Sequence, residues 1–151
     1  MRRLEASDIV PLRSALQDHY HSYFLLKSLH GFSASEMQES LDDSHTLHFL
    51  EQAGERPTLL SLGQFDRQQG NMQLQLCGRL AQPELARHHL RAIQAGSGIA
   101  RVYSFLFEHE TAEAQSLLQL GLHAEARLRE HLFVNGRYHD LLVFGCVEPV
   151  P

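Results

Sequence analysis

Asn135-Gly136 constrains this chain more than any other dipeptide in it. A two-residue type I′ turn needs positive φ at both central positions. Asn tolerates that region, and Gly enters it without steric cost. On either side the sequence alternates apolar and polar residues, over 124–134 and 137–147. Such alternation marks a strand with one covered face. The expectation is a β-hairpin with two long arms, its register fixed by the turn. A hairpin alone is marginal in water, so other elements must cover its apolar side.

The preceding residues supply those elements. Ser7-Asp8 can cap a helix running to about His21, with Ile9, Leu12, Leu16 and Tyr20 as its buried stripe. Tyr23, Phe24, Leu25 and Leu26 continue apolar, and Ser33 and Glu36 stand at capping-box spacing, opening a short helix to about Leu41. Residues 46–50 alternate weakly, and Gly54-Glu55-Arg56 can turn the chain into a second strand over 58–65. Gly63 inside that strand points to a bulge or a close approach. After Gln69-Gly70-Asn71, Met72, Leu74 and Leu76 alternate with Gln73, Gln75 and Cys77, which reads as a half-buried strand. Leu85, His88, His89, Ala92 and Ile93 then follow a helical period that Gly96-Ser97-Gly98 ends. Residues 99–107 form a continuous β-rich run, expected to be a central strand buried on both faces. Residues 111–120 are helical, with Gly121 in the left-handed capping position. The order is β-α-α-β-β-β-α-β-α-β-β. Interleaved helices and strands favour a mixed α/β sheet covered by helices.

Composition narrows the function classes. At 151 residues the chain fits one domain, 1–151, with a single core. Its net charge of −5 gives no reason to expect a nucleic acid as partner. The apolar runs fall far short of the ~20 residues a membrane helix needs, and the charged start Met-Arg-Arg-Leu-Glu lacks the apolar stretch of a signal peptide. Cys77 and Cys146 lie far apart in apolar runs, consistent with two buried thiols and a cytoplasmic location. His19-x-His21 and His88-His89 have no Cys or acidic partner at zinc spacing, and on a helix His19 and His21 would face opposite sides, so no metal site is expected.

The element order, and above all the closing segment LGLHAEARLREHLFVNGRYHDLLVFGC, resembles the GNAT superfamily of acetyl-CoA-dependent N-acetyltransferases. Within it the resemblance is to the branch that acetylates ribosomal-protein N-termini and amino sugars. It covers most of the chain from about His45. It implies an α/β (α+β) fold with a mixed, mostly antiparallel sheet flanked by helices and closed by the C-terminal hairpin. The implied activity is transfer of an acetyl or acyl group from a CoA thioester to a primary amine, such as an amino sugar, a small amino acid derivative or a peptide N-terminus. A homodimer is plausible by the same analogy. In that family a loop after a strand carries glycines, so that free backbone N–H groups and a helix N-terminus can grip a pyrophosphate. Here QPEL (Gln82 to Leu85) retains the approach, but the glycine positions fall on Arg87 and His89.

The resemblance implies donor contacts at Leu76, Cys77, Gly78, Arg79 and Leu80. Arg87, His88 and His89 would meet phosphate with side chains in place of backbone. Glu110 stands where the family has Asn, and Leu117 where it often has the Tyr that protonates the departing thiolate. His109 is the expected base, because imidazole titrates near neutrality, and Glu110 could orient it or bind the amine. In the hairpin, Arg129, His131, Tyr138 and His139 match family positions that are usually structural. Two functions stay open. One is N-acyl transfer from acetyl-CoA, another acyl-CoA or an acyl-carrier protein, whose pantetheine arm brings only one phosphate. The other is a GNAT-like module that has lost acetyl-CoA binding and serves as an inactive binding or regulatory unit.

Overall fold

The computed structural model describes residues 1–16, 23, 34–43, 45–52 and 56–147. The far end of the first expected helix, with His19 and His21, lies outside these residues, as do Ser33 and the Gly54-Glu55 turn. One seven-stranded sheet organises the rest, in the order β1-β2-β3-β4-β5-β7-β6. Its strands are β1 (Arg2–Arg3), β2 (Leu47–Glu51), β3 (Thr58–Asp66), β4 (Asn71–Cys77), β5 (Arg101–Phe107), β6 (His123–Val134) and β7 (Arg137–Val147). The helices are α1 (Ile9–Leu16), α2 (Ala34–Asp42), α3 (Pro83–Ser97) and α4 (Thr111–Leu120). The element order is the expected one, and the sheet is mixed and mostly antiparallel: β4 and β5 are the one parallel pair among the described strands.

Adjacent residues on a strand face opposite sides, and that alternation separates the two larger cores from a smaller cluster of Tyr23, Phe107 and Leu141. Leu60, Leu62, Met72, Leu74, Leu76, Val102, Leu106 and Phe144 pack against Ala86 and Leu90 of α3 and Leu117 and Leu120 of α4. Leu50, Leu59 and Cys77 pack on the opposite side against Ile9, Leu12 and Leu16 of α1. Each fully buried leucine contributes about 1.5–3 kcal/mol relative to exposure.

β4 is buried more completely than its alternation implies. Being central, it is covered on both faces, and Gln73 is buried beside the Tyr23 side chain, with which it hydrogen-bonds. The polar half of the alternation therefore faces a lined interior rather than water. The expected irregularity at Gly63 is a bulge, with a register shift between Gly63 and Asp66 and positive φ at Gln64. Arg2–Arg3 pairs with β2, and Arg2 donates to Asp8 at the start of the first helical turn. No described helix is long and apolar enough to cross a membrane.

Two features position the site. β4 and β5 pair only from Asn71↔Arg101 to Gln73↔Tyr103 and then diverge, which opens the sheet. The terminal hairpin turns at Asn135 and Gly136, both with positive φ, and brings its tip to the mouth of that opening.

Candidate functional site

Where β4 and β5 diverge, a cavity of about 1300 Å³ opens between the loop after β4, the junction of β5 with α4 and the hairpin tip. Arg56, Arg79, Arg137, His109, His139 and Glu110 are among its lining residues. The lining therefore mixes three guanidiniums, two imidazoles and the buried carboxyls of Glu110 and Glu113.

Glu110 is 5% exposed and caps the turn from β5 into α4. One of its oxygens accepts the Phe107 N–H at 2.6 Å, and the other accepts the Tyr23 N–H at 3.2 Å. Burial pushes its carboxyl up to about 7; the two backbone bonds oppose that rise, and the nearby Glu113 adds to it. Desolvation disfavours the ionised form, so a buried carboxyl can titrate near neutrality, where a general base is most effective. His109 stacks on Phe107, ring centroids 5.4 Å apart and 15° from parallel. His139 also contacts the Phe107 ring, tilted at 5.3 Å, and the two imidazoles are 6.4 Å apart. One buried phenylalanine thus carries two titratable rings at the cavity wall.

The loop after β4 is held by side chains. Gly78, at φ +97°, donates its N–H to Glu113 at 2.8 Å, and Leu80 donates to the Ser116 hydroxyl at 3.0 Å. Glu51, the last residue of β2 and 3% exposed, accepts from Ala81 at 2.6 Å and from Gln82 at 3.0 Å. Thr58 donates to the Arg79 carbonyl at 2.6 Å. The positive φ at Gly78 favours glycine, and a Cβ there would also stand 3.1 Å from the Thr58 hydroxyl oxygen, a tight contact.

The expected residues fall into three groups. Gly78, Arg79, Leu80, His109 and Glu110 line the cavity. Leu76 and Cys77 are fully buried, one in each core. Arg87, His88 and His89 lie in the second turn of α3, because that helix already begins at Pro83. The Arg87 guanidinium packs against Gly121, where a Cβ would stand 3.6 Å from Nη2, and its Nε is buried without a hydrogen-bond partner among the described residues. That places Arg87 at the C-terminal end of α4, whose partial negative charge favours a cation. His88 is exposed, and its ring lies 6.2 Å from that of the half-buried His89. Leu117 is fully buried in the core.

Glu51, Glu113, Ser116 and Arg137 escape a reading of the sequence. Their partners are backbone groups or cavity walls brought near only by the fold. A lone carboxylate closing an apolar strand was the one available hint for Glu51. His139 belongs to the cavity as well, although its position in the hairpin motif resembles a structural one. Asp140 of that motif is structural: it accepts the Glu130 N–H at 2.7 Å and Arg127 Nε at 2.6 Å, fixing the bulge in β6. Among the described residues no group of His, Cys, Asp or Glu converges as a metal site requires.

The sequence matches no established family profile and no curated protein. Solved structures do match. Spermidine N-acetyltransferase from Vibrio cholerae, in complex with CoA and spermine, superposes with a TM-score of 0.75 at 18% identity, over 97% of this chain and 94% of that one. Ribosomal-protein-S5-alanine acetyltransferase from Vibrio fischeri superposes with a TM-score of 0.72 at 13% identity, over 97% and 91%. A dodecameric structure of the Vibrio cholerae enzyme gives 0.71 at 18% identity. At such identities the likeness is one of fold: this chain has the GNAT N-acetyltransferase fold that its closing segment resembles.

Proposed function

We propose that this chain is an N-acyltransferase moving an acyl group from a pantetheine thioester to a primary amine within the cavity. The carrying observation is the junction of β5 with α4. It places His109 and Glu110 in the wall of a cavity opened by two diverging strands. Folds host many functions, so the weight rests on that site and not on the sheet. His109 removes a proton from the ammonium, and Glu110 lies beside it to bind the amine or relay its proton. The neutral nitrogen bonds to the thioester carbonyl carbon, the C–S bond breaks, the nitrogen sheds its second proton to solvent to leave a neutral amide, and the thiolate takes up a proton. His139 is placed to give that proton, since Leu117 has no group that could.

The test is thiol release from an acetyl thioester against spermidine and a peptide with an N-terminal alanine. His109→Ala is expected to lose at least ~100-fold in kcat with donor binding intact, the usual size of a general-base effect. Full activity in that variant would remove the base assignment, and no heat of binding with any pantetheine donor at millimolar concentration would remove the transferase reading.

A second reading, a GNAT-like module that binds without transferring, is favoured by one observation. The Gly78 and Leu80 N–H groups, which could hold a donor's arm, are bonded to Glu113 and Ser116. A chain that binds a peptide or small amine but no thioester would meet this description.

A further inference from the structure

At the start of α3 a free anion would find few open donors. Pro83 has no N–H, and the Ala86 N–H is bonded to the Gln82 carbonyl at 3.1 Å. The Ala81 and Gln82 N–H groups are bonded to Glu51. Glu84 and Leu85 remain, and Glu84 adds an exposed carboxylate of its own in the first turn. A helix N-terminus attracts anions through free N–H groups and its partial positive charge. Here an internal carboxylate already takes the two N–H groups just ahead of the helix and stands close to its positive end. It is 3% exposed and anchored on β2. A diphosphate brought to the same place would lose two N–H donors and meet like charge from two sides. Single-phosphate chemistry has another option, because Arg79 and Arg137 line the cavity itself and a guanidinium binds phosphate bidentately.

We infer that Glu51 is a donor-specificity residue: it fills the seat a nucleotide diphosphate would need, so the chain takes its acyl group from a pantetheine or phosphopantetheine thioester rather than from CoA. This rests on the transferase reading and adds the donor class to it. The acyl chemistry is unchanged, with the carbonyl carbon passing from sulfur to nitrogen and the pantetheine thiol as leaving group. An acyl group borne by a carrier protein arrives in this form, on a single phosphodiester.

Calorimetry with three probes, pantetheine, phosphopantetheine and CoA, decides the matter without needing the acceptor. The wild-type protein is expected to bind phosphopantetheine at least as tightly as CoA. Glu51→Gln keeps an oxygen acceptor for the loop but removes the charge. It is expected to tighten CoA about tenfold, ~1.4 kcal/mol, while moving phosphopantetheine less than threefold. CoA binding more tightly than phosphopantetheine to the wild type would overturn the inference and leave the transferase reading intact. An unchanged ratio in a folded Glu51→Gln variant would remove Glu51 as the cause. Binding of none of the three would overturn both readings. If Glu51→Gln does not fold, the wild-type comparison still decides donor class. Pantetheine against phosphopantetheine separates recognition of the arm from recognition of its phosphate: a gain of tenfold or more from the phosphate supports Arg79 and Arg137 as its holders, and no gain removes them.

Discussion

Glu110 carries a consequence that stability measurements can read directly. Its carboxyl is pushed up to about 7 because burial penalises the charge, so the native protein holds this proton at pH values where the unfolded chain has released it. Native-state proton binding in excess makes stability fall as pH rises. The contribution is fully present below the ordinary glutamate range and is lost as the pH passes through about 7. A shift of this size amounts to roughly 3 kcal/mol at most. Denaturant titrations of the wild type across that window should show the decline, and Glu110→Gln should flatten it. A wild-type curve level from pH 4 to 8 would mean that the carboxyl ionises normally and is no candidate for chemistry near neutrality. Nothing in the one-dimensional sequence announces this shift: the two N–H groups that hold the carboxylate belong to Tyr23 and Phe107, and one of them is remote in the chain.

At the level of elements, the glycine ends of α3 and α4 are as the sequence implies, whereas the first helical turn is capped by Glu5 rather than by Ser7-Asp8. Gly121 sits at φ +96° with its N–H bonded back to Leu117 and Leu118, ending α4 as its position after an apolar run implies. Arg87 packs beside it at ordinary van der Waals range, so a methyl group there has room, and the cost of substitution is conformational. Gly121→Ala is expected to destabilise the protein by about 1–2 kcal/mol. The midpoint of urea unfolding should fall with an unchanged slope; an unmoved midpoint would show that the turn can relax out of the left-handed region. Asn135-Gly136 was equally legible, because positive φ at two successive residues is a local demand that few residue pairs meet. β4 was less legible: its alternation is real, yet Gln73 is buried, since a strand's neighbours decide what covers its polar face. The candidate site was legible in part. His109, Glu110 and the Gly78–Leu80 loop, which the resemblance implied, do line the cavity. The role of Glu51 was not legible, because it depends on β2 ending beside the start of α3, a contact between segments about thirty residues apart.

Across the whole molecule, strand order departs from chain order at one place. β7 is inserted between β5 and β6, pairing with β5 from Arg101↔Val147 to Phe107↔Leu141 and with β6 along its other edge. The inner strand of the hairpin therefore belongs to the body of the sheet, and Leu141 and Phe144 are buried there. A chain cut after Asn135 keeps every helix yet loses the strand that joins β5 to β6. Scanning calorimetry of that truncation should show no cooperative transition. A cooperative peak from the shorter chain would mean that β1 to β5 form a separately stable unit.

The same arrangement bears on how the chain is made. β7 follows β5 in the chain, so during synthesis β5 emerges first, with a bare edge of backbone donors and acceptors beside apolar Leu106 and Phe107. Unpaired edges of this kind recruit strands from other chains. The nascent chain is thus open to mispairing along this edge until β7 reaches it.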